Sequence, residues 1–551
     1  MKGAEIVLEV FKRESVELMF GYPGGAVIPL YDALHRADDA PRHIRTVHEQ
    51  NAVHAADGYA RASGKPGVCI VTSGPGASNT ITGLANAYMD SVPLVVLTGQ
   101  VPTALLGKDS FQELDITGIT FSITKHNYLV RDVEDLAEVL TEAFQVASSD
   151  RPGPVLVDIP KDIFLAETRP DWAALDQSVA KESAKANDSA EIEEAVAMIE
   201  SAKRPVILAG GGIKLSEATK ELVAFAEKTQ IPVINTLMGL GTINRSHALS
   251  LGMIGMHGFK HVNLAASQSD LILAIGTRFS DRVVGKRGSF GKNASIVHID
   301  LDPTEFGKNV QHSLAICGDV KEILTDLLAV APSCERTDWL NRIQELENES
   351  SERANGFTPA NILSAINKAV DPRSTVVTDV GQHQMWTAQY WDFKESVDFI
   401  TSGGLGTMGF GPGAAIGVSM AKPDQTTVLV TGDGSFRMSA SELLTIAKYR
   451  MPILIAVMNN RALGMVRQWQ QLFQDERYAE TTNDEDMSFE ALAAVYKIPG
   501  ATVDTLEELE VALKERKWES GPFLMDLRIE NSHNVYPIVP PGKSIDQLIT
   551  E

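Results

Sequence analysis

Cysteine is scarce in this chain: Cys69, Cys317 and Cys334 are the only three in 551 residues. They are too few and too scattered for a disulfide framework or a zinc site. Cys69 lies in the apolar run Val68-Cys69-Ile70-Val71, where a small core residue is expected. Long apolar runs are missing too. None approaches the roughly 18 residues of a membrane-spanning helix, so no membrane span is expected. The N-terminus, Met-Lys-Gly-Ala-Glu-Ile-Val, carries neither a signal peptide nor an Arg/Ser-rich transit segment, and a cytoplasmic location is expected. Basic charge is in deficit, with 49 Lys plus Arg against 72 Asp plus Glu and a net charge of −23. An acidic surface repels nucleic acid and anionic membranes, so neither is expected as a partner. What is present is ordinary globular composition, 44% hydrophobic and 22% charged, which argues against disorder. The length suggests about three or four domains, each able to bury its own core.

The chain divides into thirds. Residues 1–170 repeat a short apolar strand, a Gly-rich turn and a helix, most clearly at Val68 to Thr72, Ser-Gly-Pro-Gly at 73–76, and a helical stretch from about Ser78 to Tyr88. Strands follow at Leu94 to Thr98 and Pro154 to Pro160. The stretch Asp171 to Asp188 reads as a linker. Residues 188–332 restart the pattern with Pro205-Val-Ile-Leu-Ala, Ile231-Pro-Val-Ile, Leu271 to Gly276 and Ser295 to Asp300. A second, polar linker spans Ser333 to Phe357. Residues 358–530 hold strands at Thr375 to Thr378, Val428 to Thr431, Ile453 to Met458 and Phe523 to Leu527, followed by a C-terminal tail, 531–551. This alternation predicts an α/β protein of three doubly wound parallel-sheet domains.

Val428-Leu-Val-Thr-Gly432-Asp433-Gly434-Ser435 runs an apolar strand into Gly-Asp-Gly, and Asn459-Asn460 closes the next strand. Ligands of open parallel sheets sit beyond the carboxyl ends of strands. A carboxylate and an amide oxygen delivered there suit magnesium, with a diphosphate completing the shell. The glycines let backbone N–H groups approach phosphate. The pattern resembles the thiamine-diphosphate (ThDP) signature, in which the Ala462 carbonyl joins Asp433 and Asn460 as a metal ligand. Gly404-Leu-Gly406-Thr-Met-Gly409 also matches G-x-G-x-x-G, but a lone match is weak support for NAD, and Asp433 cannot serve both ribose and metal. Glu49, in Thr46-Val-His-Glu-Gln50 after a short strand and opening a helix, is by itself an ordinary N-terminal helix acid. Its meaning changes beside Gly21-Tyr-Pro-Gly-Gly25 and Thr72-Ser-Gly-Pro-Gly76, because ThDP chemistry needs a carboxylate on the aminopyrimidine nitrogen.

Over essentially its whole length the chain resembles the catalytic subunits of the acetohydroxyacid synthase (acetolactate synthase) family. The match is carried by Phe20-Gly-Tyr-Pro-Gly-Gly-Ala26, His48-Glu-Gln50, Ala52 to Arg61 and Ser110-Phe-Gln-Glu113. It continues in Gly153 to Lys161, Gly255-Met-His-Gly258, Thr277 to Arg282, Gly381-Gln-His383 and Gly464 to Trp469. One departure is Gly411-Pro-Gly-Ala414, where the family usually shows Gly-Leu-Pro-Ala. The resemblance implies a pyrimidine-binding, a central and a diphosphate-binding domain. It assigns aminopyrimidine activation to Glu49 and an apolar wedge under the cofactor to Met408. Gly25, Phe111, Gln112 and Lys161 would line the reacting groups. ThDP would contact Val380, Gly381, Gln382, His383, Gly406, Gly432, Gly434, Ser435, Leu463, Gly464 and Met465 as well. Arg282 would hold the acceptor carboxylate, Trp469 would face the extra methyl of 2-ketobutyrate, and Met256 would join them.

The family's central domain binds FAD, matched here by Arg151, Gly210, Gly211, Gly212, Thr236, Leu237, His257, Gly276, Arg278, Asp300 and Asp319. Strand-end glycines with an acid at a strand terminus are independently what a dinucleotide crevice needs. The implied reaction decarboxylates pyruvate and ligates the two-carbon unit to a second pyruvate or to 2-ketobutyrate, the first common step toward valine, leucine and isoleucine. The cofactor carries the carbanion chemistry while the protein orients it. A homodimer or tetramer with active sites at the subunit interface is implied, together with a small regulatory subunit. The nearest rival is a flavin-dependent oxidase of the pyruvate oxidase kind, which has no use for a second keto-acid pocket. A catabolic synthase without FAD, an NAD dehydrogenase and a non-enzymatic scaffold stand further off.

Overall fold

The structure, a computed structural model, describes residues 1–178, 189–349, 356–393, 399–483, 487–515 and 517–550. Among these, eighteen strands form three six-stranded sheets, and every strand pairing is parallel. The first holds β1 (Leu18–Tyr22), β2 (Arg42–Arg45), β3 (Gly67–Val71), β4 (Leu94–Gln100), β5 (His126–Leu129) and β6 (Pro154–Pro160), in the order β2-β1-β3-β4-β6-β5. The second holds β7 (Pro205–Ala209), β8 (Val233–Asn235), β9 (Ser250–Met253), β10 (Leu271–Ile275), β11 (Ser295–Asp300) and β12 (Leu314–Cys317), in the order β12-β11-β10-β7-β8-β9. The third holds β13 (Thr375–Thr378), β14 (Phe399–Ile400), β15 (Thr427–Gly432), β16 (Ile453–Asn459), β17 (Gly500–Val503) and β18 (Phe523–Arg528), in the order β14-β13-β15-β16-β18-β17. Central strands such as β3, β4, β7, β10, β15 and β16 are buried at every position, as strands covered by helices on both faces must be.

The outer two sheets share one strand order. The middle sheet has the order of dinucleotide-binding folds, with its switch between the first and fourth strands, β7 and β10. The outer domains meet through equivalent helices, each following the second strand of its sheet: Glu49–Ser63 after β2 and Phe410–Ala421 after β14. Their backbones nearly touch. A Cβ on Gly58 would lie 2.8 Å from Ala414 Cα, and one on Gly413 would lie 2.7 Å from His54 Cβ. A single apolar core runs through this contact, from Ala52, Val53 and Ala56 to Ile416, Val418 and Leu429.

Two expected linkers are partly structured. Trp172–Ser178 is a helix; Trp172 stacks under the Arg13 guanidinium at 4.5 Å and packs on the first domain's core with Leu175. The rest of that linker, 179–188, lies outside the described residues. In the second, Thr337–Asn348 is a helix burying Trp339, Ile343 and Leu346, an apolar stripe at helical spacing. The Trp339 indole donates to the Pro205 carbonyl (3.0 Å), so this helix belongs to the middle domain. The Ser78-to-Tyr88 helix is in fact two pieces, a turn at Pro75–Ser78 and a helix at Ile81–Asp90. Residues 531–550 lie across the middle and third domains. Gln382 and Trp386 donate to the carbonyls of His533 and Asn534, Val539 N–H donates to the Met256 carbonyl, and Ile545 enters the middle core. Among the described residues no helix is long and apolar enough to cross a membrane.

Candidate active site

The first cluster forms at the carboxyl ends of β1, β2 and β3. Glu49 opens its helix after His48, whose Nδ1 accepts from Gln50 N–H. The half-buried Glu49 carboxylate accepts from Asn79 Nδ2 at 2.9 Å. Thr72, just past β3, ties two glycine turns together: its Oγ1 accepts from Ala26 N–H, and its Cγ2 would lie 2.8 Å from a Cβ on Gly76. Gln112 sits in a left-handed turn (φ 60°) against Gly74, where a Cβ would lie 3.0 Å from Gln112 Cα. Gly25 opens to solvent and Phe111 is 89% exposed. Lys161 starts the helix after β6.

The second cluster forms at the ends of β13, β15 and β16. Asp433 begins the helix after β15 and is buried; desolvation pushes its pKa up to about 6. Its carboxylate accepts from Asn483 Nδ2 at 2.6 Å. Asn460 donates to Gln382 Oε1 at 3.0 Å, and its own Oδ1 accepts from Ala462 N–H at 3.2 Å. Gly464 is pressed against this pair, for a Cβ there would lie 2.6 Å from Asn460 Nδ2. Ser435 Oγ donates to the Val380 carbonyl at 2.8 Å. Met408 Cε would lie 3.8 Å from a Cβ on Gly434, and Leu463 is closer still. Gly381 closes on the His383 ring. His383 is buried, its pKa lowered by desolvation to about 3, and its Nε2 has no partner among the described residues. Gly406 is exposed and Met465 packs beside the third domain's core.

The middle domain presents the third cluster at its switch point. Gly210 and Gly212 N–H donate to the Ile275 and Gly276 carbonyls at 2.9 and 3.0 Å, and a Cβ on Gly212 would lie 2.7 Å from Gly276 Cα. Gly211 covers Met238, Leu237 lies in the turn that follows β8, and Thr236 caps that turn by accepting from Gly239 N–H. Asp300 ends β11, its pKa raised by burial to about 6. Arg151 reaches over from the first domain to Asp302 and Glu305 at 3.0 and 2.8 Å. Burial lowers the pKa of Arg278. It also takes His257 down to about 4, and His257 Nδ1 lacks a partner among the described residues. Asp319 already caps the helix Val320–Val330 through Lys321 and Glu322 N–H.

Arg282 and Met256 come together: Nη1 approaches Met256 Sδ at 3.2 Å, and Met256 N–H donates to the Arg282 carbonyl at 2.7 Å. Trp469 lies on the helix Gly464–Phe473, edge-on to Phe473. The C-terminal segment bridges the two places, because Val535 pairs with Gln468 through two hydrogen bonds and Val539 holds Met256. Sequence reasoning missed Asn79, Asn483 and Glu442. Glu442 is buried in the third domain and accepts from Val47 and His48 N–H, at 2.9 and 3.1 Å, immediately before Glu49. No local signal marks these residues, since each partner is distant in the chain.

Three models of thiamine pyrophosphate enzymes match: the N-terminal TPP binding domain over residues 1–119, the central domain over 192–327 and the C-terminal TPP binding domain over 379–527. The chain is 43% identical to the acetolactate synthase isozyme 2 large subunit of Escherichia coli, covering 100% of this chain and 99% of that one. It is 43% identical to the acetolactate synthase large subunit of Lactococcus lactis, covering 99% and 96%. Against the chloroplastic acetolactate synthase of Arabidopsis thaliana it is also 43% identical, covering 100% and 84%. Three ThDP-enzyme domains in order, a glutamate at one sheet's ends and an Asp-Asn pair at another's, and identity along the full chain place it in one family: it belongs to the acetolactate synthase large subunits among the thiamine diphosphate enzymes.

Proposed function

We propose that the chain forms acetolactate from two molecules of pyruvate, or 2-aceto-2-hydroxybutyrate when 2-ketobutyrate is the acceptor. The reading is carried by one observation. Glu49 and the Asp433–Asn460 pair each stand at the carboxyl ends of a sheet, and the two sheets share one strand order. When bound, ThDP supplies a thiazolium carbon able to hold the electron pair left by decarboxylation. Glu49, oriented by Asn79 and by the Glu442 cap on the preceding turn, would keep its carboxylate on the aminopyrimidine nitrogen. His383 Nε2, without a partner among the described residues, and the exclusion of any side chain at Gly432, where a Cβ would lie 2.7 Å from His383 Nδ1, fit a diphosphate. Asp433, Asn460 and the Ala462 carbonyl offer hard oxygen donors, and a magnesium ion would relieve the cost of the buried Asp433 carboxylate. Met408 would pack under the cofactor. Gly25, Phe111, Gln112 and Lys161 would border the reacting atoms.

The family resemblance implies a dimer, or a tetramer built from dimers, in which one subunit's Glu49 serves its partner's Asp433. FAD would lie in the middle crevice against Gly210, Gly212 and Gly276, with Arg151, Arg278 and Asp300 about it. Arg282 would hold the acceptor carboxylate and Trp469 would face its alkyl group. The "large subunit" relatives support a small regulatory subunit as partner, and three free cysteines suit a reducing, cytoplasmic setting. The test is anaerobic incubation of the chain with pyruvate, ThDP, magnesium and FAD. Acetoin after acidification is the expected result. Stoichiometric acetate with flavin bleaching would instead establish the oxidase reading.

A further inference from the structure

The glycine run at 404–409, which serves no dinucleotide, has another use. Residues 401–408 join β14 to the helix Phe410–Ala421 and carry Met408. The first domain grips this loop with buried polar side chains. The Asp90 carboxylate, at the end of the helix Ile81–Asp90, accepts from Gly403 N–H at 3.0 Å and Gly404 N–H at 2.8 Å. Successive amides on one carboxylate form an anion nest. Glycine is required there, since a Cβ on residue 404 would lie 2.9 Å from both Asp90 Oδ1 and Met89 Cβ. Arg61 bonds Asp57 at 2.6 Å, Asp90 at 3.0 Å and the Thr401 carbonyl at 3.1 Å. Asn86 completes the cluster. Its Nδ2 donates to Asp57 at 3.0 Å, and its Oδ1 accepts from Ser402 Oγ at 2.5 Å and Thr407 Oγ1 at 3.3 Å. Ser402 Oγ in turn accepts from Thr407 N–H at 2.8 Å. On the other side of Met408, Gly409 N–H donates to Asp379 at 2.8 Å. Met408 is therefore held between two anchors, and the one that precedes it belongs to a different domain.

We propose that Asn86, backed by Asp57, Arg61 and Asp90, is the positioning residue that sets Met408 beneath the thiamine cofactor. The inference rests on the wedge reading of Met408. It makes cofactor geometry in the third domain depend on the first domain of the same chain, so that the contact between the helices Glu49–Ser63 and Phe410–Ala421 and the shape of the cofactor site are set together.

Two variants test it, Asn86→Ser and Ser402→Ala, both in the full chain. Ser402→Ala keeps the Asn86–Asp57 bond and the Arg61 ion pairs, and it carries the test alone should Asn86→Ser fail to fold. In the cofactor-free chain, backbone hydrogen–deuterium exchange of a peptide spanning 401–409 should rise about tenfold or more, because Ser402→Ala removes the acceptor of Thr407 N–H and Asn86→Ser frees the two hydroxyls that fix the loop, with the backbone exchange of the Glu49 helix unchanged. In the chain reconstituted with ThDP and magnesium, exchange of the thiazolium C2 hydrogen, read by proton NMR after acid quench, should slow by about tenfold to a hundredfold. That is the size expected for ångström-scale misplacement, and ThDP affinity should stay close to wild type. Met408→Ala is run beside them. If Met408→Ala slows C2 exchange while Asn86→Ser and Ser402→Ala keep the wild-type rate, or if the 401–409 peptide exchanges as in the wild type, the positioning role is overturned. If Met408→Ala itself exchanges at the wild-type rate, the wedge reading falls first and takes the inference with it.

Discussion

Gly417→Ala probes the place where the two outer domains touch. In an open helix the change is favourable, since alanine exceeds glycine by about 1 kcal/mol at an interior position. Here the added Cβ would lie 2.6 Å from Tyr59 N and closer still to the Ala55 carbonyl oxygen, whereas ordinary contact begins at 3.4 Å. Clearing Tyr59 N alone needs about 0.8 Å, and the nearer carbonyl oxygen makes the required separation larger, above about 1 Å. Both obstructing atoms are backbone of the helix Glu49–Ser63 and cannot rotate aside. Overpacking of this kind costs about 1–3 kcal/mol, which outweighs the gain in propensity, so net destabilisation is expected. The same movement shifts Glu49, at the start of the obstructing helix, and a displacement near 1 Å can lower turnover about a hundredfold. Differential scanning calorimetry and acetolactate formation measure the two consequences. A Gly417→Ala chain that melts at or above the wild-type temperature and turns over normally would refute the close-contact argument.

Four further outcomes follow from the same geometry. Glu49→Gln should bind ThDP but lose at least about a hundredfold in turnover, the low end for a positioned acid–base group; wild-type turnover would remove Glu49 from the mechanism. Asp433→Ala should abolish magnesium-dependent ThDP retention, followed by circular dichroism, and an unchanged affinity would place the metal elsewhere. Asp158, buried on β6 under bonds from Thr98 and Gln100, has its pKa raised by burial to about 7. Because the folded value lies above the unfolded one, the ionised carboxyl costs stability as pH climbs from about 4 to 7. Asp158→Asn should therefore gain on the wild type in melting temperature between pH 5 and 8, and a pH-independent difference would contradict the assignment. Trp469→Leu should erase most preference for 2-ketobutyrate over pyruvate, since one methylene is worth about 1–3 kcal/mol, while Arg282→Lys should depress both products together. An unchanged product ratio in Trp469→Leu would make Trp469 a packing residue.

Much of the fold was legible because buried parallel strands are continuous apolar runs. Val428 to Thr431 and Leu271 to Ile275 stand out for that reason, whereas β5, reading His-Asn-Tyr-Leu, and the two-residue β14 do not. The linker expectations erred where polar composition hid a sparse stripe: Trp339, Ile343 and Leu346 are three apolar residues in a charged stretch, enough to bury one helical face. Within the candidate site, residues that form motifs were legible, as with Glu49 after a short strand or Asp433 between glycines. Their holders were not, because Asn79, Glu442 and Asn483 are ordinary residues whose meaning comes only from what lies opposite.

By itself, the sequence determined the alternation of apolar strands and glycine turns, hence three parallel α/β domains, and it determined the chemical identity of the residues at the strand ends. These are local properties, written in periodicity and in residue type. Only the tertiary structure decided that the outer sheets repeat one strand order and that the middle one takes the dinucleotide order. It also decided that the C-terminal segment ties the Trp469 helix to the Met256–Arg282 corner. The glycine run at 404–409 shows the difference most plainly. As a string it matches a dinucleotide loop, yet the folded chain brings Asp90, more than 300 residues earlier, against its amides. A backbone N–H has no sequence signature of its own, and which anion it meets is settled by the packing of distant helices.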